Sequence, residues 1–312
     1  MISVIIPNYN HATYLKQRID SVINQSYPDF EIIILDDCSS DNSREIIESY
    51  RDHPKVTHIL YNDVNSGSTF VQWEKGIQLA KGNWIWIAES DDYASHDLLA
   101  QLTANIHQND NVVISYCQSY EVDENSHVLG TTEYWTKDID PVRWSQDYIN
   151  KGIDEITKYL DFKNTIPNAS AVIFKKSAYM EAGKKHMGMK YCGDWLLWIQ
   201  LLTKGNISYV STPLNFFRKH QLTTRTMSSP QKLRIRLEEE YEILLFLKKN
   251  IGISSKDFNR KMNWILHLYK NSFNRKELMK AVIPFFYRSI IPYRLFVFYL
   301  LRNIFLTAGK KK

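Results

Sequence analysis

Four short apolar runs, each closed by polar or acidic side chains, constrain this chain more than any other feature. Ser3-Val4-Ile5-Ile6 ends in Pro7-Asn8-Tyr9-Asn10, and Glu31 to Leu35 ends in Asp36-Asp37. Val56 to Tyr61 runs into Asn62 to Gly67, and Asn83 to Ala88 into Glu89-Ser90-Asp91-Asp92. Runs of this length and β-branched content read as strands, and a continuous apolar one such as Glu31 to Leu35 as a strand buried on both faces. Between them apolar residues recur at helical spacing: Leu15, Ile19, Val22 and Ile23, then Ile46, Ile47 and Tyr50, then Phe70 to Ala80. Ser40 or Asp41 is placed to cap the second of these helices. Strand–helix–strand order implies a mostly parallel sheet with helices on both faces.

A helix is expected from about Ser95 to Gln108 and a fifth strand over Val112 to Tyr116. The pattern weakens from Glu121 to Asn164, with one helix expected near Ile149 to Leu160. A strand over Ala169 to Phe174, a helix over Asp194 to Leu202 and a strand over Ile207 to Val210 follow. Beyond Pro230 the chain turns helical, with Leu233, Leu237, Tyr241, Leu244 and Leu245 in register.

With 44% hydrophobic and 23% charged residues the composition is that of a soluble globular protein. Cys38, Cys117 and Cys192 are odd in number and lack metal-ligand spacing, which argues for a reducing compartment and against a disulfide framework. Met1 to Ile6 reads as a strand without a basic leader, so no signal peptide is expected and the location is cytoplasmic. The net charge of +5 conceals a split: residues 230 to 312 hold 18 Lys/Arg against 6 Asp/Glu, while the rest is acidic. A basic tail seeks an anionic partner, either membrane surface or nucleic acid.

In open α/β sheets ligands bind beyond the carboxyl ends of the strands. Here four such ends gather Tyr, Asn and several carboxylates, and clustered like charges need a cation or donors to neutralise them. A hard divalent ion, Mg²⁺ or Mn²⁺, held together with a diphosphate would serve. Taken alone, each feature has a plainer reading. Asp36-Asp37 suits a loop start or a receiver-domain acid pocket, Asp91-Asp92 and Asp194 suit helix N-caps, and His220 suits a solvated loop.

The ordered set resembles a family. SVIIPNYN at 3–10, ILDDCSSD at 34–41, residues Asn65 to Gly82, ESDDY at 89–93, CGDWLLWIQ at 192–200 and FRKH at 217–220 are similar to successive signatures of the family 2 inverting glycosyltransferases, which have the GT-A fold. The resemblance covers roughly residues 1 to 225. It implies a GT-A catalytic domain over 1–225, with nucleotide binding in 1–115 and acceptor binding in 116–225, and a helical extension over 226–312.

By the same resemblance Pro7, Tyr9 and Asn10 line the nucleotide pocket, with Tyr9 stacked on the base. Asp37 accepts from the pyrimidine ring NH of uracil or thymine, and Gly67 and Lys75 complete the donor site. Asp91 lies nearer the ribose, Asp92 binds the metal bridging the phosphates, and His220 sits near that metal. Asp194 is the general base. The implied reaction moves a sugar from a UDP- or dTDP-sugar to a hydroxyl acceptor in bacterial surface glycan assembly.

This chain departs from the family pattern at Glu89, where an Asp is usual; at Gly193, where an acid is usual; and at Trp73-Glu74, where Arg-Asn is usual, Lys75 being the substitute. The Gln-x-x-Arg-Trp pattern of processive synthases is absent, so one sugar per encounter is expected. A sugar-phosphate nucleotidyltransferase would want a Gly-rich loop after the first strand, and a receiver-like module would need about half this length. Ala281 to Ala308 is aromatic and aliphatic but broken by Arg288, Arg294, Arg302, Pro284 and Pro292, and Lys310-Lys311-Lys312 follow. It reads as an amphipathic segment in the interface of the inner membrane face, suiting a lipid-linked glycan acceptor, or else as a helix packed on protein. No nucleic acid partner is expected.

Overall fold

The computed structural model describes residues 1–106, 109–220, 229–272, 274, 276 and 277. It divides into two compact units, Met1–Gly188 with Asp194–Thr223 and Met189–Gly193 with Thr224–Lys312.

The first unit is an α/β sandwich. Its strands are β1 (Ile2–Asn8), β2 (Phe30–Asp36), β3 (Val56–Tyr61), β4 (Trp84–Ile87), β5 (Tyr93–Ala94), β6 (Val112–Val122), β7 (Val128–Thr131), β8 (Tyr148–Asn150), β9 (Val172–Lys175) and β10 (Asn206–Arg218). Its helices are α1 (Ala12–Ile23), α2 (Ser43–Glu48), α3 (Thr69–Leu79), α4 (Leu98–Ala104), α5 (Gly152–Glu155), α6 (Lys176–Ala182) and α7 (Gly193–Leu202). The sheet order is β3-β2-β1-β4-β9-β6-β10-β5, with β7 beside β6 and β8 beside β10. The strands β3, β2, β1 and β4 run parallel, so their carboxyl ends share one edge.

Alternation along β1 explains the layering. Ile2, Val4 and Ile6 pack with Leu15, Ile19 and Val22 of α1 and Leu98, Leu99 and Leu102 of α4. Ile5 points to the opposite face. There α3 approaches so closely that a Cβ on Gly76 would lie 2.4 Å from the Ile5 side chain. Each fully buried Ile or Leu contributes about 1.5–3 kcal/mol by leaving water.

Several boundaries differ from the sequence reading. The helix expected from Ser95 starts at Leu98, because the preceding residues pair instead: β5 lies antiparallel to Asn215 and Phe216, and Ser95 N–H donates to Leu214 O. Residues 107 and 108 lie outside the described residues. Strand β6 continues to Val122 through buried Gln118, Ser119 and Glu121, whose polarity hid it. Its parallel partner β10 carries Pro213 at register shifts, where a ladder bond is not required. Ala169–Ala171 is a 3₁₀ turn capped by Asn168, and the strand begins at Val172. The stretch expected as one helix near Ile149 to Leu160 is β8, α5 and a π-turn over Ile156–Leu160. Asn42 is the N-cap of α2, while Asp41 takes the N–H of Ser43 and also that of Ala12 at the start of α1.

The second unit contains α8 (Pro230–Asn250) and α9 (Ser255–Ser272). Ser229 caps α8 by accepting from Lys232 N, and Leu233, Leu237, Tyr241, Ile243, Leu244 and Leu247 are buried. Leu245, expected among them, is only partly buried. The Glu239 carboxylate accepts the N–H groups of Lys190, Tyr191 and Cys192 at 2.6–2.9 Å. Among the described residues no helix is long and apolar enough to cross a membrane. The segment Ala281 to Ala308, read as amphipathic, lies outside the described residues.

Candidate active site at the carboxyl edge of the sheet

Three loops leave the parallel strands side by side and are sewn together by their own polar groups. Asn8 donates to Asp36 Oδ1 (2.8 Å), and Ser39 N–H and Oγ–H fill the rest of the Asp36 carboxylate. Asn10 has a left-handed backbone (φ 55°), a conformation Asn tolerates. Its Oδ1 takes the Ser40 N–H and its own N–H meets Ser39 Oγ. Asn10 thus joins the first loop to the second. Pro7 is a buried strand residue opposite Leu35. Tyr9 is 48% exposed.

Asp37 is buried at the head of the second loop. Its Oδ1 accepts from Asn62, Ser66 N and Gln72, and its Oδ2 from Ser66 Oγ. Lys75 reaches this group through Asn62, donating to Asn62 Oδ1 at 2.6 Å. Gly67 adopts φ 68°, which favours glycine, and its N–H closes onto Asn65 Oδ1.

Beyond β4 the acids separate by environment. Asp92 is buried, with Oδ1 accepting the Arg218 N–H (2.9 Å) and Oδ2 the Asn168 amide (2.9 Å). Burial, then repulsion from Asp91, raises its pKa. Asp91 faces two imidazoles. His220 Nε2 lies 3.0 Å from Asp91 Oδ2, and His11, bonded to Ser90 Oγ through Nδ1 at 2.8 Å, completes the group. Potential ligand atoms of His11, Asp91 and His220 all lie within 4.8 Å of one another. Burial alone would raise Asp91, but the His220 hydrogen bond and the charges of His11 and His220 outweigh it and hold the carboxyl low. The Asp91 bond raises His220, whereas burial, the largest influence on it, lowers His11. A carboxylate with two imidazoles fits a divalent cation. Asp92, expected at the metal, is engaged by Arg218 and Asn168, while Asp91 stands in the cation-capable group. His11 was not anticipated, although it follows Asn10 directly.

Two buried arginines support the motif. Arg18 Nε donates to Glu89 O at 2.8 Å, and burial lowers its pKa to about 10, still charged at neutral pH beside Asp92, Asp91 and Glu89. Arg218 donates to the carbonyls of Asp91, Asp123 and Glu124, to Ser126 Oγ and to Gln17, and lies over the Tyr14 ring.

The departures at positions 73, 74 and 89 form matched contacts. Trp73 Nε1 donates to Glu89 Oε1 at 2.8 Å. Glu74 pairs with Lys184 and accepts from Tyr179 and Gln78. Asp194 stands in the first turn of α7. Its Oδ1 accepts from Trp195 N (2.7 Å) and its Oδ2 from Asn164 Nδ2 (3.1 Å).

A mostly parallel sheet whose strand ends carry acids, amides and an exposed tyrosine defines a GT-A type α/β protein. Residues 3–180 match Glycosyl transferase family 2, and the chain belongs to that family. An uncharacterized glycosyltransferase of Rickettsia typhi is 29% identical over 252 residues, 80% of this chain and 72% of that one. The poly(ribitol-phosphate) beta-N-acetylglucosaminyltransferase TarS of Staphylococcus aureus (strain Mu50) is 31% identical over 116 residues, 36% of this chain and 20% of TarS. The match to two further curated relatives spans only 39% and 44% of their length. The crystal structure of S. aureus TarS 1-349 in complex with UDP-GlcNAc superposes with a TM-score of 0.63 at 18% identity, over 89% of this chain and 74% of that one. The shared fold is thus the mixed α/β GT-A architecture.

Proposed function

We propose that this glycosyltransferase moves a sugar from a UDP- or dTDP-sugar to a hydroxyl acceptor with inversion, in the assembly of a bacterial surface glycan. The domain over 1–225 carries the reaction, with the donor in 1–115 and the acceptor met by 116–225. The observation that supports this most is the group His11, Asp91 and His220 on the strand edge that also carries Asp37 and Tyr9. The TarS complex with UDP-GlcNAc supports a uridine donor.

In this reading Tyr9 stacks on the base and Asp37 accepts the ring NH through Oδ2, the oxygen with fewer internal partners. Pro7, Asn10 and Gly67 shape the cleft, and Lys75 sets Asn62 against Asp37. Asp91, His11 and His220 would hold Mn²⁺ or Mg²⁺, the nitrogen-rich set favouring Mn²⁺. Such an ion, when bound, offsets charge on the leaving diphosphate. Asp92 fixes the chain around it by tying β10 to the acid motif. Asp194 removes the acceptor proton as the hydroxyl attacks the anomeric carbon from the face opposite the diphosphate. The acceptor is a glycan or lipid-linked glycan, reached at the inner membrane face through the basic C-terminal region.

Thermal shifts with UDP, dTDP, GDP and CDP, each with Mn²⁺ or chelator, test this. UDP or dTDP is expected to stabilise only with metal, and Asp91→Ala to remove that effect. Asp194→Asn is expected to keep nucleotide binding and lose transfer. Equal stabilisation by all four nucleotides without metal would overturn the donor and metal assignments.

A further inference from the structure

Residues 164–168, Asn-Thr-Ile-Pro-Asn, run between two carboxylates and touch both. Asn164 Nδ2 donates to Asp194 Oδ2 at 3.1 Å, and Asn168 Nδ2 donates to Asp92 Oδ2 at 2.9 Å. Each asparagine uses its other amide atom on its own backbone two residues ahead. Ile166 N–H donates to Asn164 Oδ1 (3.2 Å), and Ser170 N–H donates to Asn168 Oδ1 (2.6 Å). A backbone N–H can only donate, so it fixes which amide atom is the oxygen and turns both NH₂ groups toward the acids. The segment itself is held firmly: Ile166 and Thr165 are buried at 0% and 1% exposure, and Trp135 Nε1 donates to Asn164 O at 2.7 Å.

We propose that Asn164 and Asn168 are positioning residues, and that the strap between them sets the separation of the base Asp194 from the donor-side acid Asp92. The inference rests on the assignment of Asp194 as base. Four residue steps confine the two asparagine Cα atoms to about 14 Å of each other, so the acids they grip are tethered through a short, buried spacer. With Trp195 N–H on Oδ1 and Asn164 on Oδ2, the Asp194 carboxylate is held at both oxygens and presents a fixed edge to the acceptor. Transfer depends on such alignment, since a displacement of about 1 Å can cost about 100-fold in rate.

The test compares Asn164→Asp, Asn164→Ser, Asn168→Asp and Asp194→Asn with the wild type. Asn164→Asp keeps the oxygen that Ile166 N–H needs but sets an anion against Asp194. Asn164→Ser can still accept from Ile166 N–H, yet is too short to reach the carboxylate. It carries the test if the Asp variant does not fold. The readout is release of UDP or dTDP from a panel of UDP- and dTDP-hexoses and N-acetylhexosamines with Mn²⁺ and methyl glycosides as acceptors, alongside thermal shift by UDP.

Both Asn164 variants are expected to lower kcat about 100-fold with donor KM and the UDP shift within about twofold of wild type. Asn168→Asp is expected to raise donor KM instead. A wild-type kcat in the Asn164 variants, with transfer lost in Asp194→Asn, overturns the positioning role and leaves the base intact. Retained transfer in Asp194→Asn removes the base assignment itself.

Discussion

Trp73 Nε1 donates to Glu89 Oε1 at 2.8 Å, joining the middle of α3 to the first acid after β4. The pair occupies two positions at which the chain departs from its family, and each departure explains the other. Burial pushes the Glu89 carboxyl up to about 8, repulsion from Asp91 adds to that, and the Trp73 bond opposes it. The folded protein therefore holds a proton on Glu89 that the unfolded chain releases near pH 4.5. Between those values the native state binds more protons than the unfolded state, so this group lowers stability as pH rises from about 4.5 to about 8 and adds no further loss above that. Glu89→Gln keeps an oxygen for Trp73 and cannot ionise. Its melting temperature is expected to match the wild type at pH 5 and exceed it by several degrees at pH 8, measured by calorimetry across that range.

The His11, Asp91, His220 group predicts a graded loss of metal affinity. His11→Ala and His220→Ala should each weaken Mn²⁺ binding by at least about 10–100-fold, the cost of losing only an outer partner of a ligand. Titration calorimetry with Mn²⁺ and UDP reads this directly. Substitution of the partly buried His58, far along the chain on β3, serves as the control and should leave Mn²⁺ binding unchanged.

The contrast between these sites shows what the sequence could reveal. Strands β1 to β4 were legible because uninterrupted β-branched runs such as Glu31 to Leu35 have few other uses, and their parallel order followed from the helices between them. Strand β6 beyond Tyr116 was not, since Gln118, Ser119 and Glu121 are polar yet buried by pairing with β10. Position along a strand end also told which residues share the edge, but not which atoms are free. Asp91 and Asp92 look alike in a string of letters, and only the fold shows Asp91 beside His11 and His220 and Asp92 engaged by Arg218 and Asn168. His11 lay one residue past a recognised pattern. Its link to Asp91 requires a contact across 80 residues that no spacing rule contains.

Asp37 predicts base selectivity. Its Oδ1 is crowded by three donors from Asn62, Ser66 and Gln72, so only a carboxylate satisfies the cluster while offering an oxygen to a ring NH. Asp37→Asn would turn an amide against one of these donors or against the base. The variant is expected to lose most of the UDP-induced thermal shift and to bind UDP and CDP within about threefold of each other, as a selective hydrogen bond is worth about 1 kcal/mol or more. A preserved UDP preference would remove Asp37 from base recognition.

Arg218 makes the sharpest stability prediction. Its guanidinium is wholly buried, and three of its acceptors are backbone carbonyls, those of Asp91, Asp123 and Glu124. Lysine would keep the charge but replace a planar five-donor fork with a single ammonium, which cannot meet Asp91 O, Asp123 O and Gln17 together. Several buried acceptors would then be stranded, each at a cost of about 1–3 kcal/mol before relaxation. Arg218→Lys is therefore expected to lower unfolding free energy by about 3 kcal/mol, measured in urea. Because Arg218 N–H also holds Asp92 and the next-but-one residue is His220, the loss should reach the site: Mn²⁺ affinity is expected to fall in the same variant. A variant with wild-type stability in urea would show that the carbonyl cage around Arg218 does not hold the acid motif in place.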